Sequence, residues 1–309
     1  MRIEILGSAA GGGFPQWNCN CRNCHALRAG IFHGKARTQT QVAVSSGQDS
    51  WFLLNASPDL RMQIESSSFL HPRAGQRDSP ISGVLLTSGD VDQIAGLLSL
   101  RELQPFRIYC TPSIQRVLRE DNSIFGMLNR VADQVSWSEI RIGQGLPLLN
   151  AQGHDCGICA SAFSMEGRYP PYVSARRRAS LRSEEASISV ALQSPSRRSL
   201  VYLPAVPRID DSLLQRLESA DLLFFDGSFW TDDELIRVQG SGVTAREMGH
   251  VPVSGPDGSL QLLANLRRPR KIFIHINNTN PMLDEAGPEY REVRDAGWEI
   301  AEDGIHFDL

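Results

Sequence analysis

The sequence lacks both a long apolar run and an excess of basic charge. Hydrophobic residues make up 41% of its 309 positions, but no uninterrupted apolar stretch reaches the about eighteen residues that a membrane-spanning helix needs. The formal net charge is -4, whereas proteins that bind nucleic acid without sequence preference carry a basic surface that releases counterions from phosphates. We therefore expect a globular protein that neither inserts into a membrane nor binds nucleic acid.

The pattern predicts neither a secretory leader at residues 1–6 nor a disulfide framework. Residues 1–6 carry charge within their apolar run, and no small-residue cleavage site follows, so we interpret them as a first strand. The chain has six cysteines, and clustered thiols in a reducing compartment are more often metal ligands than disulfide partners. These features favour a cytoplasmic protein, and a homodimer is the general expectation for such a chain.

Three of the cysteines lie close together near the N-terminus. Cys19, Cys21 and Cys24 follow a glycine run, and because a disulfide could join only two of them, the spacing indicates a shared metal ion. Three thiolates supply most of the tetrahedral shell of a Zn²⁺ ion, and a closed shell of this kind is structural and not catalytic. The sequence therefore predicts a structural zinc site.

The fourth ligand of this zinc site is left open by the spacing. The predicted zinc-binding loop, at about 14–30, itself offers His25. Asn278 or another distant residue could take the position instead, and the metal would then tie the loop to the body of the protein.

Short apolar runs alternate with segments of helical periodicity. The predicted strands are eight apolar runs, at 3–6, 42–44, 51–54, 84–86, 188–192, 200–203, 222–225 and 272–276. The predicted helices lie at 92–103, 112–119, 212–217, 231–238 and 259–266. Several strands are apolar at every position, which is typical of strands that helices cover in a layered α/β protein.

Polar side chains stand where several of the predicted strands end. Asp90 and Asp92 follow one strand. Asp226 ends a second, and His275 lies in a third. Singly, each has a simpler explanation, because Asp caps helices and forms turns and a lone histidine in an apolar strand usually belongs to the core. Jointly they indicate a metal or catalytic cluster, and His250, in a glycine-flanked loop, is a candidate general acid or base.

The segment at 169–183 is strongly basic and contains Arg176, Arg177 and Arg178. A charge run of this kind is usually a solvated, mobile loop. The alternative is a lid whose arginines meet a carboxylate-rich ligand, because the guanidinium group presents a fork of donors to carboxylates.

Several strings of residues, spread from end to end of the chain, form a recognisable set. They are Gly7-Ser8-Ala9-Ala10-Gly11-Gly12-Gly13, Pro15-Gln16-Trp17-Asn18-Cys19, Arg37-Thr38-Gln39, Leu54-Asn55-Ala56-Ser57-Pro58-Asp59, Gly96-Leu97-Leu98, Leu100-Arg101-Glu102, Phe225-Asp226-Gly227, Met248-Gly249-His250 and His275-Ile276-Asn277-Asn278-Thr279-Asn280-Pro281. Together they resemble the PqqB family of pyrroloquinoline quinone (PQQ) biosynthesis, in the metallo-β-lactamase superfamily. The resemblance implies an αββα four-layer sandwich, with two mixed β-sheets flanked by helices, formed by a single domain at 1–309, and it supports the structural zinc.

The chain departs from the superfamily at the metal motif. Hydrolases of the superfamily usually carry His-x-His-x-Asp-His after the third or fourth strand, and the matching positions here are Ser88, Asp90, Asp92 and Gln93. The chain therefore lacks the histidine ligands that a dinuclear hydrolase centre takes from this motif. The PqqB family tends to keep the final Asp-His pair, and this chain has Gln93 in place of that histidine. A neutral amide is a poor ligand for iron or zinc compared with imidazole.

The resemblance implies a role in making PQQ from a cross-linked Glu-Tyr derivative of a precursor peptide. The family looks like an iron-dependent hydroxylase that uses O₂ to insert oxygen into the tyrosine ring of that intermediate. In this interpretation Asp92, His250 and His275 are the catalytic residues. The candidate ligands of the active-site Fe²⁺ are Asp90, Asp92, Asp226 and His275.

Two other functions are open at this point. A carrier that helps to move PQQ or its precursor towards the periplasm needs a pocket and basic groups, for which Arg37 or the basic segment would suit, but no active-site metal. A hydrolase needs a dinuclear centre, which Ser88 and Gln93 disfavour. Gln93 also counts against catalysis, but the other site residues are retained, so we favour the hydroxylase over the carrier.

Overall fold

A computed structural model describes residues 1–47, 49–240 and 242–309. The chain divides into two compact units. The first comprises Met1–Leu6, Gln41–Arg198 and Gly304–Leu309, and the second comprises Gly7–Thr40 and Ser199–Asp303. The single domain at 1–309 stays a prediction.

Strands and helices alternate along much of the chain. The strands are β1 (Arg2–Gly7), β2 (Gln41–Ser45), β3 (Trp51–Leu54), β4 (Ile81–Leu85), β5 (Phe106–Cys110), β6 (Val135–Glu139), β7 (Gly145–Leu149), β8 (Asp155–Ser164), β9 (Ile188–Gln193), β10 (Ser199–Leu203), β11 (Leu222–Asp226), β12 (Arg270–Ile274), β13 (Trp298–Ile300) and β14 (His306–Asp308). The α-helices are α1 (Arg22–Arg28), α2 (Leu60–Ser66), α3 (Val91–Ile94), α4 (Pro112–Arg116), α5 (Ala175–Arg178), α6 (Asp211–Glu218), α7 (Glu234–Gln239), α8 (Ser259–Leu262) and α9 (Pro288–Asp295). Short 3₁₀ helices lie at Ser68–Leu70, Ala95–Arg101, Ser123–Asn129, Ser183–Glu185 and Pro281–Leu283, and a π-helical turn lies at Val117–Asp121.

In the first unit, seven strands form one mixed sheet in the order β14-β1-β2-β3-β4-β5-β6. The run from β3 to β6 is parallel, whereas β14 with β1 and β2 with β3 pair antiparallel. Strands β2, β3 and β4 are buried at every position, as the all-apolar runs predict for covered strands. Three further strands of this unit pair antiparallel in the order β7-β8-β9.

The predicted helix at 92–103 is α-helical only at its start. The structure has the short α3 and then a 3₁₀ helix. The N–H group of Gly96 donates to the carbonyl of Ala56 at 2.9 Å, and a Cβ atom on Gly96 would lie 2.2 Å from the carbonyl oxygen of Ser57. Because this N–H group bonds outside the helix, the regular α-helical ladder ends here.

The second unit contains four parallel strands in the order β10-β11-β12-β13. The register places Asp226, the last residue of β11, opposite Ile274, the last residue of β12. His275 follows β12 directly. The carboxyl ends of two neighbouring parallel strands therefore bring Asp226 and His275 to one edge, which is where such sheets place their functional groups.

Aromatic side chains fill the core of the second unit beneath this edge. Phe273 stacks on Trp298 with ring centroids 4.1 Å apart, and Phe225 meets Trp298 edge-on at 6.0 Å. Gly227 leaves β11 beside this core, where a Cβ atom would lie 2.8 Å from Cβ of Phe273. The close packing explains why the turn after Asp226 contains glycine.

Within the described parts of the chain, none of the helices combines the length and the apolarity that crossing a bilayer requires.

Candidate metal centres

Three thiols converge in the second unit. The ligand atoms of Cys19, Cys21 and Cys24 all lie within 4.8 Å of one another. Cys21 is extended and precedes α1, and Cys24 lies buried in the first turn of that helix. Because a tetrahedral zinc ion with Zn–S bonds of about 2.3 Å separates its sulfurs by about 3.8 Å, these thiols suit the predicted zinc site.

The side-chain amide of Asn278 lies against all three sulfurs. Its Nδ2 is 3.1 Å from Sγ of Cys19, 3.6 Å from that of Cys21 and 3.3 Å from that of Cys24. An oxygen that completes a tetrahedral zinc shell lies about 3.6 Å from each sulfur. An end-for-end flip of the amide would put Oδ1, a possible metal ligand, at this point. His25, by contrast, is exposed on α1.

Asn23 holds the Asn278 segment against the cysteine loop. Its buried side-chain amide donates to the main-chain carbonyl of Asn278 at 3.1 Å and to that of Asn280 at 3.0 Å. Both bonds are buried, so breaking them would leave polar groups without partners in the interior. The two parts of the cysteine site are therefore fixed to each other by protein contacts.

The thiols differ in their readiness to ionise. Burial raises the pKa of Cys24 to about 11. Burial acts in the same direction on Cys19, but the N–H group of Cys21 and neighbouring side chains donate to its sulfur, and their combined effect lowers the pKa of Cys19. Three thiolates in one place need a cation to balance their charge, and Zn²⁺ would supply it.

A second cluster lies at the carboxyl ends of β11 and β12. Ligand atoms of Asp226, His250 and His275 lie within 4.8 Å of one another, and all three residues are buried. The two imidazole rings stack with centroids 5.5 Å apart and an angle of 18° between their planes. The structure thus brings together three of the predicted site residues. Two imidazoles and a carboxylate form a donor set that iron, zinc and copper accept.

The carboxylate of Asp226 is fully buried and makes four short polar contacts. Oδ1 receives the N–H group of Ser228 at 3.0 Å and its hydroxyl at 2.7 Å. Oδ2 receives the N–H group of Val206 at 2.9 Å and pairs with Nδ1 of His250 at 2.7 Å. These contacts occupy about all the acceptor sites that a carboxylate has.

Ser228 joins the parts of this cluster. Besides Asp226, its Oγ lies 2.8 Å from Nδ1 of His275 and 3.1 Å from Nδ1 of His250. Ser228 cannot be predicted as a site residue from the sequence, because a serine two residues after a strand-terminal aspartate has no local signature of such a role. Its contacts depend on residues 22 and 47 positions away.

His275 adopts a left-handed backbone conformation, with φ at 61°. Residues other than glycine enter this region at an energetic cost and often at functional sites. The flanking backbone is fixed on both sides, because the N–H group of Gly227 donates to Ile274 at 2.8 Å and that of Ile276 donates to Ser8 at 3.0 Å. The surroundings therefore determine where the imidazole of His275 points.

Asp90, Asp92 and Gln93 lie in the first unit, at the turn from β4 to α3. Oδ2 of Asp90 accepts the hydroxyl of Ser88 at 2.6 Å. Oε1 of the buried Gln93 accepts the hydroxyl of Thr87 at 2.6 Å and lies 3.0 Å from Oγ of Ser88. The amide oxygen of Gln93 is thus engaged by the hydroxyl of Thr87, while the membership of Asp90 and Asp92 in the metal site stays a prediction.

The arginines proposed for substrate binding have protein partners. Arg37 is only 4% exposed and donates to the carbonyl of Ala301. In the basic segment, Arg177 forms ion pairs with Asp121 at 2.7 Å and Glu120 at 3.3 Å. These contacts hold both arginines in place within their own units, and their contact with a substrate stays a prediction.

The fold and the strand-end site define a class of protein. Residues 50–276 match the beta-lactamase superfamily domain. The predicted fold class, two mixed β-sheets flanked by helices in the metallo-β-lactamase fold, is confirmed.

The particular family follows from relatives that match over their full length. The chain is 44% identical to coenzyme PQQ synthesis protein B of Ruegeria pomeroyi and 42% identical to that of Xanthomonas euvesicatoria, and each match covers 100% of both chains. The chain therefore belongs to the family of coenzyme PQQ synthesis protein B.

Solved structures agree with this assignment. A crystal structure of Zn²⁺-bound PqqB from Methylobacterium extorquens shares 40% identity with the chain, with a TM-score of 0.90 and complete coverage of both chains. A diphosphatase of the PhnP family has the same fold, with a TM-score of 0.67 at 20% identity, over 100% of this chain and 97% of that one.

Proposed function

We propose that this member of the family is an iron-dependent hydroxylase that acts on the cross-linked Glu-Tyr precursor of PQQ. The observation that carries the proposal is the buried cluster of His250, His275 and Asp226. Two histidines and one carboxylate, with positions left open, are typical of non-haem Fe²⁺ oxygenases. Asp226 or the predicted ligands Asp90 and Asp92 supply the carboxylate in this proposal.

The residues of the chain have separable tasks in this function. When bound, Fe²⁺ would supply the activation of O₂ that hydroxylation of an aromatic ring needs. His275 holds the metal, and His250 binds it or moves a proton to and from the reacting groups. The buried position of the cluster keeps bulk water away from the reacting atoms.

We further propose that Cys19, Cys21 and Cys24 hold a structural Zn²⁺ ion with Asn278 as the fourth ligand. The convergence of the three thiols on one amide supports this assignment, and the zinc-bound relative from Methylobacterium extorquens shows that a protein of this family binds zinc. A ligand set that is complete within the protein is structural, because no position is left open for a substrate. The chain acts in the cytoplasm, as a homodimer, in this proposal.

Elemental analysis after anaerobic loading with Fe²⁺ tests both metal assignments. We expect about one zinc and one iron per chain, with iron lost in His275→Ala and in Asp92→Ala. His33→Ala is the matched control, because His33 belongs to the same unit and its side chain is 73% exposed. The iron-loaded protein should then add oxygen to the cross-linked precursor in the presence of O₂. Zinc alone, with no iron retained, contradicts the hydroxylase.

A carrier of PQQ or its precursor is the second candidate. The observation that favours it is Gln93, whose amide oxygen accepts the hydroxyl of Thr87 at a position where the resemblance implies that the family tends to keep a histidine. A carrier needs no iron, so protein stripped of iron should bind PQQ as tightly as loaded protein does. A marked loss of PQQ binding without iron would count against this alternative.

A further inference from the structure

We propose that Ser228 is a positioning residue that, together with Asp226, fixes the tautomer of both site histidines. In this arrangement each imidazole carries its proton on Nδ1, so that Nε2 holds the lone pair that binds a metal. The inference deepens the proposed metal site and rests on it for its functional meaning. The tautomers themselves are properties of the metal-free protein.

The hydrogen bonds around Asp226 determine the tautomer of His250. Two of the four partners of Asp226 are the N–H groups of Val206 and Ser228, which can only donate. A carboxylate in such a setting accepts at both oxygens. Nδ1 of His250 lies 2.7 Å from Oδ2, so the proton between them belongs on Nδ1. The lone pair of His250 is then on Nε2.

The single hydroxyl proton of Ser228 determines the tautomer of His275. Oγ lies 2.7 Å from Oδ1 of Asp226 and 2.9 Å from the carbonyl oxygen of His275, and both oxygens are acceptors. Donation to the shorter and charged contact is favoured, because a hydrogen bond to a carboxylate is stronger than one to a neutral carbonyl. With its proton committed to Asp226, Oγ can only accept from Nδ1 of His275 at 2.8 Å. Nδ1 of His275 therefore carries a proton.

These assignments give a continuous set of donors that ends on one buried charge. His275 donates to Ser228, Ser228 donates to Asp226, and His250 donates to Asp226 directly. Metal-bound histidines commonly donate their second nitrogen to a carboxylate or another acceptor, which fixes the ring and raises its basicity. Here one carboxylate orients two histidines. It accepts directly from His250, and it accepts from Ser228, which in turn accepts from His275. Asp226 orients the two ligands in this arrangement and does not itself need to bind the metal.

Nuclear magnetic resonance of isotope-labelled histidine in the metal-free protein tests the tautomers directly. We expect both His250 and His275 to carry the proton on Nδ1. In Ser228→Ala, the tautomer of His275 should become mixed, because its acceptor is gone, while that of His250 should stay unchanged. A wild-type His275 that carries its proton on Nε2 overturns the inference without any variant, so the test holds even if Ser228→Ala folds poorly.

The affinity for Fe²⁺, titrated anaerobically into protein whose cysteine site is loaded with zinc, is the second readout. Ser228→Ala should bind Fe²⁺ about 10–100-fold more weakly, as is typical when the partner of a ligating histidine is removed. Ser259→Ala is the matched control, because Ser259 is a fully buried serine of the same unit whose hydroxyl has no partner among the described residues. Unchanged tautomers and affinity in Ser228→Ala overturn the inference. Failure to hydroxylate the precursor would contradict the proposed function and leave the tautomer result intact.

Discussion

His275 and Asn278 lie three residues apart on one loop, and their side chains enter two different ligand clusters. Nδ1 of His275 is 2.8 Å from the hydroxyl of Ser228, while Nδ2 of Asn278 is 3.1 Å from the sulfur of Cys19. Asn280 ties the same loop to the end of β11 through bonds of 3.0 and 3.3 Å. The cysteine site and the histidine site thus share one fixed segment.

Loss of the metal from the cysteine site should therefore change the environment of the His275 side chain. In zinc-free protein we expect the resonances of His275 to shift or broaden, because the segment that carries Asn278 loses one of its attachments. His154, which is exposed in the first unit, provides the control resonance and should not change. Identical His275 signals with and without zinc would show that the contacts of Asn23 and Asn280 alone hold the loop.

Cys21→Ser should lower the zinc content and the thermal stability together. The loss of a metal site is among the few single changes that cost about 4 kcal/mol or more, which corresponds to roughly 10 °C in melting temperature. Cys159→Ser is the control, since Cys159 is an exposed thiol on β8. Calorimetry and elemental analysis measure the two quantities. A melting temperature equal to that of the wild type would contradict a structural role for the zinc site.

Asn278 can be tested as the fourth zinc ligand by two substitutions. Asn278→Ala removes the donor and should lower zinc occupancy, whereas Asn278→His should keep zinc bound because imidazole is a common zinc ligand. Asn277→Ala is the neighbouring control, as its side chain bonds to Thr279 at 2.5 Å and not to the thiols. Full zinc occupancy in Asn278→Ala would mean that another group is the fourth zinc ligand.

Gln93→His should raise the affinity for Fe²⁺ if this position faces the iron site. Imidazole is a stronger donor to iron than the neutral amide, whose oxygen already accepts the hydroxyl of Thr87. Gln93→Met separates the gain of a ligand from the loss of this hydrogen bond. Anaerobic titration with Fe²⁺ measures the effect, and equal affinities of Gln93→His and wild type would mean that the position is not a ligand.

Glu234 should make the stability of the second unit depend on pH. Burial raises its pKa to about 7, and its carboxylate accepts bonds from Thr279 and, at 2.5 Å, from the N–H group of Trp230. The folded state therefore binds more protons than the unfolded state between the ordinary value of 4.5 and about 7, so the contribution of Glu234 to stability falls as pH rises through this window.

Glu234→Gln removes this titration and keeps the shape of the side chain. Relative to the variant, the melting temperature of the wild type should fall by a few degrees as pH rises from about 5 to about 7.5. Glu247→Gln is the control, because Glu247 is exposed in the same unit. A constant difference between wild type and Glu234→Gln over this range contradicts the raised pKa.

Much of the fold could be predicted from local patterns. The apolar run at 222–225 becomes β11 because a strand that is apolar at every position must have both of its faces covered to be shielded from water. The helix predicted at 92–103 is α-helical only to Ile94 and then 3₁₀, because the periodicity does not reveal that Gly96 donates its N–H group to the carbonyl of Ala56 across a tight contact. Such contacts arise from tertiary packing and cannot be recognised in the local sequence pattern.

The sequence alone determined the groups whose members are close along the chain or stand at the ends of apolar strands. Cys19, Cys21 and Cys24 needed no tertiary information, and parallel strands carry Asp226 and His275 to one edge by their register. Only the tertiary structure selected Asn278 and Ser228. Their partners lie up to 259 residues away for Asn278 and up to 47 for Ser228, and the directional bonds between them form only after the apolar core has fixed both backbones.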